Sequence, residues 1–445
     1  MSLFKDISPG EKKLIIFILF FAILIKIFFA FNLTAEIRSD SMVYESIAKN
    51  IIKLGEYSFE GKSTATLSCG YPLFVAVIYK ALGAGDFWIR IVQSILEIFT
   101  GFFFFLISMN FFKAKWSVIS LAIFTFLPSN LIYSQTVLTE PLFGLLAIIL
   151  LYYCLKEQID SKIFFIGLIW GYAVLVRSSF SLSLALLPVF IFIYRRKLFE
   201  GFKQKRIKRV FQYTLLFVIG AAIVILPWLI RNKITMNTFT IATQGGFTFW
   251  SGSNPDATGT WYYKIEESNP LFKIDDEAAR DRKFYKEGIN YAVHNPHKFF
   301  ITGIKKIGYL FSSERMILLY FAKTDTTGKT STDVYKSINP LLIALFNIPY
   351  FAIMLFGVWG LLAIKKKKFF IYGFILTWMI TFFMFVALAR YHYVLIPFFV
   401  LGTVKFLSEY KTILRELNLT GKIIAMSFDL FLIVVWTAEF YLLYK

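Results

Sequence analysis

Lys12-Lys13-Leu14-Ile15-Ile16-Phe17-Ile18-Leu19-Phe20-Phe21 opens a largely apolar run that lasts to Phe31 and gives way to Arg38-Ser39-Asp40-Ser41. Residues 14–31 are long enough to cross a bilayer as a helix, which takes roughly 17–25 residues. The lysine pair ahead of them keeps the N-terminus on the cytoplasmic side. The run is too long for a signal-peptide core and no small-residue cleavage site follows it, so it reads as a retained span. Asp40 therefore lies just beyond the first crossing. Val43, Ile47, Ile51 and Leu54 then recur at helical spacing, which predicts an amphipathic helix lying beside the membrane over residues 42–54.

The same kind of apolar run returns along the whole chain, and 57% of its residues are hydrophobic. This is the composition of a polytopic, all-α membrane protein. A net charge of +20 would suggest nucleic acid in a soluble protein. Here the Lys and Arg fall in loops between apolar runs, where the positive-inside rule explains them, so no nucleic-acid partner is expected. Cys69 and Cys154 fall on opposite sides of the expected topology, and no disulfide follows from them.

With register set by the basic loops, about eleven spans are expected. The second and third are 87–112 and 116–133, with Lys113 and Lys115 between them on the inside. Residues 71–82 are too short to cross and are expected in the interface or against the bundle. A fourth span over 137–156 places Glu140 at its outer end. Residues 164–194 carry Arg177 mid-run and read as two short spans meeting at an outer turn, because an arginine centred in lipid is costly. Residues 195–209 hold eight Lys or Arg and are expected as a cytoplasmic loop. A seventh span over 210–230 ends in Pro227-Trp228-Leu229-Ile230-Arg231-Asn232 on the outer face. The last spans are 340–364, 369–388, 394–407 and 423–443, with Lys365 to Lys368 inside and Arg390-Tyr391-His392-Tyr393 outside. The expected division is a transmembrane module over 1–232 (first outer loop 32–85), an extracytoplasmic loop domain over 233–336, and C-terminal helices over 337–445. On this topology Asp40, Glu140, Arg177, Arg231 and Arg390 all reach the outer rim, although only lysine-rich loops set the register.

The order of several short stretches resembles the GT-C glycosyltransferase superfamily, in the branch of the protein O-mannosyltransferases and the lipid A aminoarabinose transferases. They are Asp40 with Tyr44 and Ala48; Gly70-Tyr71-Pro72-Leu73-Phe74; Thr139-Glu140-Pro141-Leu142-Phe143; and Leu175-Val176-Arg177. Further on come the stretch ending at Arg231-Asn232, Gly245-Gly246, Asn254-Pro255-Asp256-Ala257-Thr258-Gly259, and Arg390-Tyr391 ahead of Pro397. The resemblance implies a GT-C fold and an inverting transfer of sugar from a polyprenyl-phosphate donor. The acceptor would be a lipid, a glycan or a protein. The site would face the extracytoplasmic side of the plasma (inner) membrane, as in lipopolysaccharide modification. Two departures stand out. Ser39-Asp40 replaces an acidic pair, and Ser68-Cys69-Gly70-Tyr71-Pro72 replaces the Lys-Pro-Pro motif of the aminoarabinose branch.

On that resemblance Asp40 is the base that takes the acceptor's proton, although an aspartate following Ser39 is also common at a helix start. Glu140 holds the acceptor or stabilises charge on the sugar; at the start of an apolar helix it also suits the helix dipole. Arg231, Arg177 and Arg390 are expected on the donor phosphate, since guanidinium forks match phosphate oxygens. Tyr44, Tyr71, Tyr391 and His392 are expected to line the substrate. No cofactor is required; a divalent ion held by Asp40 and Glu140 is the alternative, although such ions ask for more oxygens. His294 and His297 make a poor metal site. Two other classes fit parts of the pattern. A flippase for lipid-linked sugars would place charges along a path through the membrane, and a non-catalytic assembly subunit would tolerate loss of Asp40.

Overall fold

The computed structural model describes residues 7–36, 39–156, 162–185, 203–261, 269–322 and 330–445. Helix α1 (Pro9–Asn32) starts on a capping box in which Ser8 and Glu11 satisfy each other's backbone, with Pro9 in the first turn. Ile15, Ile18, Ala22, Lys26 and Ala30 form its buried stripe. Phe17, Phe20, Phe21, Leu24 and Phe28 face outward, where a soluble protein would put polar groups and a membrane protein meets lipid. Among the described residues, six helices are long and apolar enough to cross a membrane, and five shorter apolar helices accompany them. The chain is an integral membrane protein of the all-α class.

After α1 come α2 (Asp40–Leu54), a two-residue hairpin of β1 (Ser58–Phe59) and β2 (Lys62–Ser63), and α3 (Gly70–Leu82). Helix α3 packs against the bundle, with Tyr71 wholly buried. α4 (Asp86–Ser108) crosses, and the expected third span divides into α5 (Ala114–Phe126) and α6 (Pro128–Tyr133). Pro128 causes the break: it forces the preceding Leu127 into extended backbone (φ −59°, ψ 126°). The Asn130 side chain then donates to the freed carbonyl of Phe124 at 2.7 Å. α7 (Glu140–Cys154) and α8 (Ile163–Val176) follow. α8 ends at Arg177, which adopts extended backbone before a 3-10 turn over Ser178–Ala185. The remainder of the expected sixth span lies outside the described residues.

The expected basic loop is helical from Lys203. α9 runs unbroken over Lys203–Met236, so Arg231 and Asn232 sit within a helix rather than after one. Lys and Arg are good helix formers, which lets the span extend beyond its apolar stretch. α8 and α9 pack through small residues, and a Cβ on Gly167 would come within 2.2 Å of the Phe217 carbonyl oxygen.

Residues 233–336 hold α10 (Gly245–Ser251), α11 (Glu277–His294), α12 (Pro296–Leu310), α13 (Arg315–Phe321) and α14 (Ser331–Lys336). The Glu277 carboxylate accepts from the Thr64 hydroxyl (2.8 Å) and the Ala65 amide (3.0 Å), and also from Thr243, tying this stretch to the first outer loop. The last helices are α15 (Pro340–Ala363), α16 (Lys368–Met384), α17 (Ile396–Glu416) and α18 (Leu419–Tyr444), with a 3-10 turn over Ala389–Leu395 before α17. α17 runs well past the expected end at 407, with non-helical backbone at Glu409. α12 lies against α16 and α18: Gly303 meets the Phe383 ring and Gly308 meets Val435.

α15 and α17 approach so closely that a Cβ on Gly360 would lie 1.8 Å from the Gly402 carbonyl oxygen. Because backbone rather than a side chain is the obstacle, Gly360→Leu is expected to destabilise by more than about 3 kcal/mol, above the usual overpacking range. Thermal unfolding in detergent measures it, and an unchanged midpoint would refute this contact. A second expectation concerns Lys306 on α12. Its ammonium is wholly buried and donates to the Met384 (2.9 Å) and Phe383 (3.3 Å) carbonyls, and burial pulls its pKa down to about 7. The unfolded lysine keeps a pKa of about 10.4. Between those values the unfolded chain binds more protons, so stability rises with pH from about 7 to about 10. The gain in thermal midpoint from pH 7 to pH 9 is therefore expected to be larger in the wild type than in Lys306→Met; equal gains would contradict it.

Candidate active site

Asp40 is the first residue of α2. Ser39, before it, has φ 54° and makes no side-chain capping bond, and the Asp40 carboxylate pairs with Arg390 instead of capping the helix. Arg390 reaches this position from the 3-10 turn between α16 and α17. Its guanidinium also donates to the Tyr320 hydroxyl (3.3 Å), and its Nε lies 3.7 Å from the Glu140 Oε1. Glu140, the first residue of α7, is fully buried; its Oε1 stands 3.5 Å from Arg177 Nη1, and its other oxygen accepts from Thr139 at 3.3 Å. Arg177 projects from the end of α8, with its guanidinium 4.5 Å from the centre of the Tyr391 ring. Four chain segments thus bring two carboxylates and two guanidiniums into one alternating cluster.

The cluster is neutral as a whole, which is what allows it to be buried: removing one partner from such a group leaves a charge without compensation. Exposure is uneven within it. Side-chain exposure is 1% for Glu140, 7% for Arg390 and 10% for Arg177, against 30% for Asp40. Asp40 is the member that meets the outside. Tyr44 lies one turn along α2 from it; its phenol is pushed well above its ordinary value by burial and then by the Asp40 charge, so it is a neutral donor.

Other expected residues stand elsewhere. Arg231 is not part of the cluster. Its guanidinium donates to the Tyr57 (2.6 Å) and Thr64 (2.7 Å) carbonyls and lies over the Trp228 and Tyr57 rings. Its donors hold the first outer loop, apart from the four charged side chains. His392 is wholly buried, within 3.3 Å of Glu314, 3.2 Å of the Tyr350 hydroxyl and 3.1 Å of the Leu310 carbonyl. Tyr71 is likewise sealed, with its hydroxyl donating to Gln93 at 2.8 Å. Tyr391 keeps a place in the cluster through Arg177, and Tyr44 packs on the Tyr71 ring at 4.8 Å.

Asp40 and Glu140 are the two carboxylates expected to hold a divalent ion, and in this arrangement both face Arg390. Arg390 occupies the space between the two carboxylates, and among the described residues no three His, Cys, Asp or Glu side chains converge.

Sequence reasoning missed a second charged group. Lys26 of α1 and Glu97 of α4 form a buried ion pair inside the bundle, and Tyr393 donates to the same Glu97 at 3.0 Å. Ionisable side chains are therefore not confined to the outer rim. The signal was present, since each is a lone charge inside an apolar run.

No protein-family model and no curated protein matches the chain. Among solved structures it is similar to ArnT from Cupriavidus metallidurans bound to undecaprenyl phosphate, at 11% identity and a TM-score of 0.47, covering 88% of this chain and 77% of that one. It is also similar to the archaeal oligosaccharyltransferase AglB from Archaeoglobus fulgidus, in complex with an inhibitory peptide and a dolichol-phosphate. That likeness has 12% identity and a TM-score of 0.47 and covers 96% of this chain but only 55% of the other. Likenesses this distant assign no activity.

The geometry makes Glu140 the counter-charge of two arginines. Glu140→Ala is expected to destabilise by roughly 3–5 kcal/mol, the range for breaking a buried pair. Glu140→Gln, which keeps an acceptor, should lose less. Denaturant or thermal unfolding in nanodiscs measures both; equal stability of Glu140→Ala and wild type would contradict the pairing.

Proposed function

We propose that the chain is a glycosyltransferase of the GT-C type, moving a sugar from a polyprenyl-phosphate donor to an acceptor at the extracytoplasmic face. The observation that carries this reading is the cluster itself: a partly exposed carboxylate held by a buried arginine, backed by a second arginine and carboxylate. It stands at the end of the bundle opposite the Lys365–Lys368 stretch and the basic start of α9. The positive-inside rule puts those lysines in the cytoplasm and the cluster outside.

The acceptor's hydroxyl oxygen attacks the anomeric carbon and forms the new C–O bond. The bond from that carbon to the phosphate oxygen breaks, and the lipid phosphate leaves with the electron pair. Asp40 takes the hydroxyl proton. A single in-line displacement of this kind inverts the anomeric centre. The leaving phosphate needs fixed positive charge more than a proton, and Arg390 and Arg177 supply it in a site of low exposure. Glu140 keeps both arginines in place. Before the donor arrives, Asp40 occupies Arg390. The incoming phosphate competes for the same guanidinium fork and frees Asp40 as a base. Arg231 acts one step away, by fixing the first outer loop.

A flippase would draw on intramembrane charges, and Lys26 and Glu97 are such charges. They are buried, however, Lys26 against backbone carbonyls and Glu97 against Lys26 and Tyr393, and do not line an open path. An assembly subunit would not depend on Asp40.

The test uses purified protein in nanodiscs with a panel of radiolabelled polyprenyl-phosphate sugars. Asp40→Asn is expected to retain donor binding and lose transfer by about 100-fold or more, the usual range for a general base. Turnover equal to wild type would remove Asp40 from the chemistry. Absence of transfer by either protein across the panel, with lipid binding intact, would favour transport or assembly.

A further inference from the structure

Arg390 is carried by a short 3-10 turn, Ala389–Leu395. At three residues per turn the side chains at positions i and i+3 lie above one another. Tyr393 is therefore the residue of that turn that shares a face with Arg390. Its hydroxyl donates to Glu97 Oε1 at 3.0 Å. The other Glu97 oxygen is held by Lys26, whose ammonium also donates to the carbonyls of Asn130 and Leu131 and to the Ser134 hydroxyl. Those carbonyls belong to α6, beyond the break at Pro128. The Tyr393 ring also packs on α7: a Cβ on Gly144, one turn past Glu140, would lie 2.9 Å from it. Lys26, Glu97 and Tyr393 are all less than 7% exposed.

We propose that Lys26, Glu97 and Tyr393 form a positioning strut that sets Arg390 against Asp40 and Glu140. This rests on reading Arg390 as a ligand of the donor phosphate. The strut runs from α1 through α4 to the 3-10 turn, with α6 bracing the ammonium. Its working contact is the hydrogen bond from Tyr393 to Glu97; the Lys26 charge keeps that carboxylate compensated in the interior. The bland alternative is that the ion pair merely fastens α1 to α4. The two differ in what a neutral replacement does. Lys26→Met with Glu97→Gln removes both charges and keeps a carbonyl that accepts from Tyr393. Lys26→Met with Glu97→Leu removes the acceptor as well.

Two readouts are needed on the full-length protein in nanodiscs: amide hydrogen exchange of residues 389–395 without ligand, and binding of undecaprenyl phosphate. The strut predicts faster exchange in Tyr393→Phe and in Lys26→Met/Glu97→Leu, with α15 unchanged. Both variants should bind the lipid phosphate about five- to tenfold more weakly, the scale of one lost hydrogen bond. Lys26→Met/Glu97→Gln should match wild type on both readouts. Adding Tyr393→Phe to the Glu97→Leu pair should cost nothing more, because the two changes break one interaction. Unchanged exchange in Tyr393→Phe would overturn the strut. So would a Gln pair that behaves like the Leu pair, since that would mean the charges alone matter. If exchange separates as expected but wild type does not bind undecaprenyl phosphate, the strut's geometry stands and the phosphate reading of the site fails.

Discussion

A guanidinium that is almost fully withdrawn from water needs compensating charge, and Arg390 obtains it from two directions at once. Asp40 approaches from the first outer loop and Glu140 from the start of α7, with Arg177 shared on the far side of Glu140. Each carboxylate is the first residue of its helix, where the dipole favours a negative charge even without a partner. The cluster thus fixes the mutual position of α2, α7, the end of α8 and the turn before α17. It also shows how charge is held at the end of a bundle whose spanning helices turn largely apolar side chains outward. Three members are sealed, and the fourth is partly open.

Much of this was legible from residue types and their order. The basic loops gave the register, and that register alone sent Asp40, Glu140, Arg177 and Arg390 to one rim. The break before Arg177 followed from the cost of an arginine in lipid, and the structure ends α8 there. What could not be read was the use each side chain makes of its position. Arg231 reaches the same rim but is consumed by the Tyr57 and Thr64 carbonyls, which only the folded loop brings near. His392 lies two residues from Arg390, yet a tight 3-10 turn sends adjacent side chains in different directions, and it meets Glu314 in the interior. Pro128 was visible, but its consequence was not: the carbonyls around the break become partners for Lys26.

The Lys26–Glu97 pair shows how a membrane interior tolerates ionised groups. The lysine lies on the buried stripe of α1 rather than its lipid face, and the carboxylate meets it from α4. Backbone carbonyls and hydroxyls take the remaining donors. A pair so fully satisfied is a fixed part of the scaffold, unlike the partly open Asp40. The contrast is between a charge pair closed inside the bundle and a carboxylate partly open to the outside.

We propose that the Asp40–Arg390 pair holds the place of a lipid phosphate and yields to it. The most direct measurement is a cryo-electron microscopy structure of the protein in nanodiscs with undecaprenyl phosphate bound. Phosphate oxygens are then expected on the Arg390 and Arg177 guanidiniums, with the Asp40 carboxylate released and open to the outer side. Phosphate bound elsewhere, with the Asp40–Arg390 pair intact, would contradict it.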